Sequence, residues 1–280
     1  MQIQNTGGWS RIQDQDKAAK SLNRTNKDLS KILQRLSTAV RINQASDDAA
    51  GLSISQQMES QIRGFKMAQE NVTDAASALQ IADGAGSEVS SMVQRQRELA
   101  LQSSSGTLTD TQRQDLNVEY QQLTAEIDRI GNASQFNTQS VSNGQGLASG
   151  NAQIQVGPNS GDQIKLSKTD FSAASLGISA TSIANQASSQ AAVTKLDTAL
   201  ETLNNQRSAI GSETNRFEST NNNLSVAEIN TQAAQSVLAD QDMAAGLMEL
   251  TRQKLLLETG TQAFSRFNEI SANHLFGLLQ

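Results

Sequence analysis

The residues of this 280-residue chain best equipped for chemistry are few. Asp47 and Asp48 are adjacent, Asp240 and Asp242 make a second pair, and the single histidine is His274. Paired carboxylates do acid/base work when their environments separate their pKa values, or bind hard cations when several oxygens converge. Neither pair brings a histidine or an obvious further ligand set. The chain has no cysteine, which removes disulfides, thiol nucleophiles and thiolate metal sites together. His274 lies among apolar residues near the C-terminus, where packing or a hydrogen bond is the stronger reading than catalysis. The glycines between Gly144 and Gly161 lack the strand-to-helix setting of a phosphate loop and read as turns. The sequence thus assigns no catalytic residue, no cofactor and no metal, and the expectation is a protein that is not an enzyme. The acids have a structural reading instead: Ser46 as an N-cap, with Asp47 and Asp48 in the first helical turn, where carboxylates favour the free backbone amides.

The elements around them are helical. Ile12, Ala19, Asn26, Leu33 and Val40 recur seven apart, with Leu22, Leu29 and Leu36 as a second row, so one helix carries an apolar stripe. Asn26 interrupts it, either fixing register between helices or sitting near water at little consequence. Beyond Leu52 the phase changes. Met58, Phe65, Val72, Leu79, Gly86, Val93 and Ala100 form one row, and Gln61, Ala68, Ala75, Ala82 and Val89 a small-residue companion. Arg41 to Leu52 is therefore a joint between two helices. Gly84 and Gly86 inside the second predict a bend or a very close contact, since each costs about 1 kcal/mol against alanine.

Thr109 and Gln112 have the spacing of a capping box, Leu116, Tyr120, Leu123, Ile127 and Ile130 line the helix that follows, and Gly131 is placed to end it. Ile154-Gln155-Val156 and Ile164-Lys165-Leu166 alternate around Gly157 to Gly161, which predicts a β-hairpin. Helical spacing returns with Leu196, Leu203, Ile210, Phe217, Leu224, Thr231 and Leu238. It ends with Met243, Leu250, Leu257, Phe264, Ser271 and Leu278, beside a row containing Leu247 and Leu275. The order is helix, joint, long helix, β insert, long helix, terminal helix. The two ends are natural antiparallel partners because neither buries its stripe alone.

Composition agrees. With 36% hydrophobic and 3% aromatic residues and negative mean hydropathy, the core is thin and the expected shape elongated. A net charge of -6 and a pI near 4.9 disfavour nucleic acid and anionic membrane as main partners. No apolar run is long enough to span a bilayer, and Met1 to Thr6 lacks the apolar core of a secretory signal, so export would need another route.

The run Arg41-Ile42-Asn43-Gln44-Ala45-Ser46-Asp47-Asp48-Ala49-Ala50-Gly51-Leu52 closely resembles the N-terminal signature of bacterial flagellins, and Gln94 to Ser103 resembles a second one. Glu126-Ile127-Asp128-Arg129-Ile130, Gln135-Phe136-Asn137, Ile154-Gln155-Val156-Gly157, Leu176-Gly177-Ile178, Asp242-Met243-Ala244, Leu250-Thr251-Arg252 and the closing Leu278-Leu279 extend the resemblance over nearly the whole chain. Departures are Gly7-Gly8-Trp9, Ala39 where glycine is common, Val93 where leucine is common, Ala245-Gly246 and Arg266-Phe267-Asn268.

The resemblance implies a mainly α fold: an elongated antiparallel helical bundle or coiled coil built from the N- and C-terminal helices, with a small β-hairpin insert and no variable surface domains. Residues 1–45 and 239–280 would form an inner coiled-coil domain with the connector. Residues 46–238 would form an outer helical domain with the hairpin region at about 132–180. The implied function is that of a secreted subunit polymerising into the bacterial flagellar filament for motility. A hook-filament junction protein of the same architecture, or a minor flagellin, is the alternative; junction proteins carry proline after the paired acids, where this chain has Ala49-Ala50-Gly51. Connector residues would be Arg41, Asn43, Asp47, Asp48 and Gly51. Assembly, or contact with the host Toll-like receptor for flagellin, would involve Gln94, Arg95, Gln102 and Glu119. Inner-layer packing would involve Leu22, Leu29, Leu33, Leu36, Leu250, Leu257, Phe264 and Leu278. Implied partners are further copies of the chain in an open helical homopolymer, an export chaperone, and junction and cap proteins.

Overall fold

The computed structural model describes residues 6–278, with side chains from 13 to 270. His274, Leu275 and Leu278 therefore lie outside the described side chains. Helix α1 spans Thr6–Thr38, α2 Ala49–Ser103 and α3 Asp110–Ala133. Two hairpins follow, β1 (Gln135–Phe136) with β2 (Gln139–Ser140), and β3 (Gln153–Gln155) with β4 (Gln163–Lys165), separated by a short 3-10 turn at Gly146–Ala148. The chain finishes with α4 (Gln186–Ala239) and α5 (Met243–Leu278). It divides into two compact units: residues up to Glu59 with those from Gln232 onward, and Ser60–Thr231.

The second unit owns the core. The seven-residue rows of α2 bury Val72, Leu79, Val89, Val93 and Ala100; α4 buries Leu196, Leu203, Ile210 and Phe217; α3 supplies Tyr120 and Ile127. Phe171, Ile178 and Ile183 from the segment between β4 and α4 plug the space between these helices. Ion pairs fix an antiparallel register of α2 against α4: Arg97 Nε to Asp197 at 2.6 Å, Arg207 Nε to Asp83 at 2.9 Å, and Lys66 to Glu228 at 3.6 Å.

The capping box of α3 is present, with Thr109 accepting from the Gln112 amide and Gln112 returning a bond to Thr109 N. Gly131 does not end the helix, which runs to Ala133. A Cβ at Gly131 would meet the Ser172 backbone at 3.8 Å, an ordinary contact distance, so packing there does not demand a glycine. The two glycines of α2 differ as well. Gly84 has open space around it, whereas a Cβ on Gly86 would stand 3.0 Å from the Phe171 ring and 3.2 Å from Arg207 Cγ. Close contact is the reason for Gly86.

The expected hairpin forms with Ile154 opposite Ile164. The β1–β2 hairpin has no counterpart in the alternation of the sequence. Its turn residues, Asn137 and Thr138, both have positive φ (46° and 64°), as a two-residue type I′ turn demands. Threonine is a strained occupant there, because a β-branched side chain crowds the left-handed backbone.

In the first unit α1 and α5 pack antiparallel. Gln15 donates to Asn268 at 3.1 Å, and Leu22 and Leu36 lie against Gly260 and Gly246, where a Cβ would come within 3.0 and 2.8 Å. The leucine stripe of one helix seats over the small residues of the other. Asn26 is exposed, which leaves it on the watery edge of the stripe.

Candidate functional site

The joint after α1 begins with Ala39 at φ 55°, the left-handed C′ position where glycine is usual. The chain then runs extended and meets the second joint. Val40 pairs with Asp240 in an antiparallel bridge, Arg41 N donates to Ala239 O (2.7 Å), and Gln241 N donates to Ala39 O (3.0 Å). Arg41 adds a charge-assisted bond from Nη2 to Leu238 O at 2.6 Å. The joint is thus half of a clasp whose other half lies almost two hundred residues away.

Asp48, not Ser46, caps α2: its Oδ1 accepts from Gly51 N at 2.9 Å, and its carbonyl accepts the first helical bond from Leu52. Ser46 bonds the Gln44 side chain instead. Asp47 stays outside the helix and closes the loop, accepting from Asn43 N (3.4 Å), Gln44 N (3.3 Å) and Arg35 Nη2 (3.4 Å). Burial raises its pKa, but the two amides and Arg35 outweigh burial and leave the carboxyl below its ordinary value. Gly51 is required by proximity, since a Cβ would stand 2.5 Å from Asp48 Oδ2 and 2.7 Å from Ile42 Cδ1. The second joint repeats the device: Asp242 Oδ1 accepts from Ala244 N (2.9 Å) and Ala245 N (3.1 Å), and Asp240 accepts from Ser236. The adjacent acids are helix caps and loop closers. Among the described residues no three carboxylates or histidines gather where a metal ion could be held.

The second candidate surface joins α2 and α3. Arg95 donates to Glu119 through Nε (3.0 Å) and Nη2 (2.9 Å) and to Glu98 through Nη1 (3.0 Å). The Glu119 and Glu98 bonds raise the guanidinium pKa. Gln94 and Gln102 are exposed on α2, and neither is bonded to this cluster. Two further polar residues of these helices, Gln96 and Arg113, are buried. Gln96, with no exposure, donates to Tyr120 O and Thr124 Oγ1; Arg113 donates to the carbonyls of Ser103, Ser105 and Leu108. Arg113 thereby clamps the α2–α3 loop. Their only sequence signal was a polar residue inside an apolar stripe, for Gln96, and an arginine four residues past the capping threonine.

The stripe residues of the first unit are incompletely covered. Leu22, Leu29, Leu36, Leu250, Leu257 and Phe264 are half-buried, while Leu33 is 47% exposed. Along α5, Met243, Leu247, Met248, Leu255 and Leu256 stand out, Met248 at 68% exposure. Met248, Leu255 and Leu256, with Thr251, Arg252 and Thr259, border one open groove. No described helix is long and apolar enough to cross a membrane.

Comparison with known proteins agrees with this geometry. Residues 10–146 match the bacterial flagellin N-terminal helical region and residues 193–276 the C-terminal helical region. The chain is 42% identical over 241 residues to a flagellin of Halalkalibacterium halodurans, covering 85% of this chain and 88% of that one. It is 34% identical to the flagellar filament 31.3 kDa core protein of Treponema maltophilum, covering 91% and 94%. The crystal structure of Bacillus cereus flagellin superposes with a TM-score of 0.50 at 34% identity, over 55% of this chain and 88% of that one. With helical regions matched at both ends and relatives aligned along most of its length, the chain belongs to the bacterial flagellin family, the structural proteins of the extracellular flagellar filament.

Proposed function

We propose that this chain polymerises through its terminal helices, with residues 1–45 and 239–280 forming the inner coiled-coil layer of a filament and 46–238 its outer layer. The observation that carries the reading is the uncovered apolar face of α5, from Met243 to Leu256. Each of these side chains has about half its surface still to lose, which corresponds to about 1 kcal/mol apiece on burial. A second copy of the chain is the natural cover. The contact joins one patch to a different patch, so its repetition without closure gives an open helical polymer. Neighbours that cover the face also stabilise the terminal helices by mass action.

The Arg95 cluster is proposed as a second contact, with Gln94, Gln102 and Glu119 presented on the same two helices. The family resemblance also makes it a candidate for the host Toll-like receptor, and implies an export chaperone and junction and cap proteins as further partners. Electron microscopy under polymerising conditions tests the central claim. Chains lacking residues 1–40 or 240–280 are expected to keep the folded unit 60–231 and form no filaments. Ordinary filaments from both truncations overturn the reading. For the second contact, R95A monomers with unchanged receptor signalling would count against the receptor role alone.

A further inference from the structure

One dipeptide outside these surfaces carries reactivity of its own. Asn143-Gly144 is the only asparagine-glycine step in the sequence. In such a step the backbone nitrogen of the second residue can attack the carboxamide carbon of the first, and glycine, lacking a Cβ, leaves the approach open. The N–Cγ bond forms and the Cγ–Nδ2 bond breaks. The amide proton departs with the leaving nitrogen as ammonia, and a succinimide remains. Water then opens the ring at either carbonyl, giving aspartate in one case and isoaspartate in the other. No oxidant or reductant takes part.

We propose that Asn143 is a deamidation site that the folded chain holds closed and the unfolded chain exposes. Each reacting group is engaged. Gly144 N, the nucleophile, donates to Thr169 O at 2.9 Å. Asn143 Oδ1 accepts from Gln145 N at 3.0 Å, and Asn143 Nδ2 donates to Asn132 Oδ1 at 3.2 Å. The backbone is pinned as well: Asn143 pairs with Asp170 in an antiparallel bridge, and Phe171 N donates to Ser142 O at 2.8 Å. Phe171 is fully buried, so turning the Asn143–Gly144 peptide toward its own side chain means opening the pairing that seats a core aromatic. The charged groups facing the site are Asp170 and Lys168, paired at 3.6 Å. A Cβ on Gly144 would lie 2.7 Å from Asp170 Oδ2 and 3.2 Å from Lys168 Cε. That carboxylate further disfavours the amide anion the attack requires.

The product is incompatible with the fold. Isoaspartate adds a backbone carbon between Ser142 and Gly144, so the bonds to Phe171 N and Thr169 O can no longer be made in one register. It also sets a new carboxylate beside Asp170.

The full-length chain, held at mildly alkaline pH in native buffer and in guanidinium, tests this by peptide mass spectrometry of residue 143, with N143Q as the control. Conversion is expected in guanidinium, at least about tenfold slower in native buffer, since the bridge must first open, and absent from N143Q. Chains aged in guanidinium should also lose refolding yield, and N143Q should not. Equal rates in the two states, or no conversion in guanidinium, overturn the proposal.

Discussion

The unit from Ser60 to Thr231 and the terminal unit are written in the same seven-residue repeat, yet they finish differently. In the former, Val89, Val93, Leu196, Leu203 and Phe217 are fully buried, because three helices and the Phe171 to Ile183 segment enclose the same seam. In the terminal unit, Leu22 and Leu250 stop half-buried and Met248 faces outward. A heptad repeat therefore specifies a seam and leaves open how many partners close it. One unit closes it within the chain. The other leaves part of it exposed.

The largest expected effect would break this contrast if it failed. F171A removes a fully buried ring and should destabilise the unit 60–231 by about 3–5 kcal/mol. L256A, at a residue 48% exposed, should change monomer unfolding by less than about 0.5 kcal/mol while weakening polymerisation. Thermal unfolding at low concentration separates the two. Next comes R113A, which strips the partner from three loop carbonyls and should cost about 2–3 kcal/mol. Its effect should be read in the same transition as F171A.

A smaller effect sharpens the picture of the joints. D48A and D242A each remove an N-cap and should cost about 1 kcal/mol, with faster hydrogen exchange confined to the first turns of α2 and α5. Exchange that quickens equally in the core of the other unit would show that the caps are not local. The smallest change has the opposite sign. T138G relieves a β-branched residue at φ 64° and should stabilise the β1–β2 hairpin by somewhat under about 1 kcal/mol, visible as a modest rise in Tm.

Much of this was legible from spacing. The rows through Leu79 and Leu203, the capping box at Thr109 and the hairpin around Gly157 to Gly161 are local patterns, and local patterns survive into the fold. What was illegible depended on atoms far away in sequence. Ser46, Asp47 and Asp48 are all acceptable caps, and only the path of the loop past Asn43 and Arg35 selects Asp48. Gly84 and Gly86 read identically until Phe171 arrives at one of them. The exposure of Leu33, between the half-buried Leu29 and Leu36, is set by which side of α1 meets α5. The β1–β2 hairpin was hidden because strands of two residues are too short to show alternation, and because threonine stands where glycine would have announced the turn. The joint residues read as a motif, but their pairing with Asp240 and Ala239 is not legible from either segment alone.

That pairing bears on the order of folding. Arg41 and Leu238 are bonded across 197 residues, a contact whose closure in an open chain carries a large entropic cost. Once the unit 60–231 has folded, most of that loop is already compact, and the remaining search is short. The clasp is therefore expected to form late, followed by the zippering of α1 along α5, so the parts of the chain nearest its ends in sequence are the last to take shape. A chain that folds in this order has its interior settled before its exposed apolar helix faces form, which limits the time a half-made chain presents them to others.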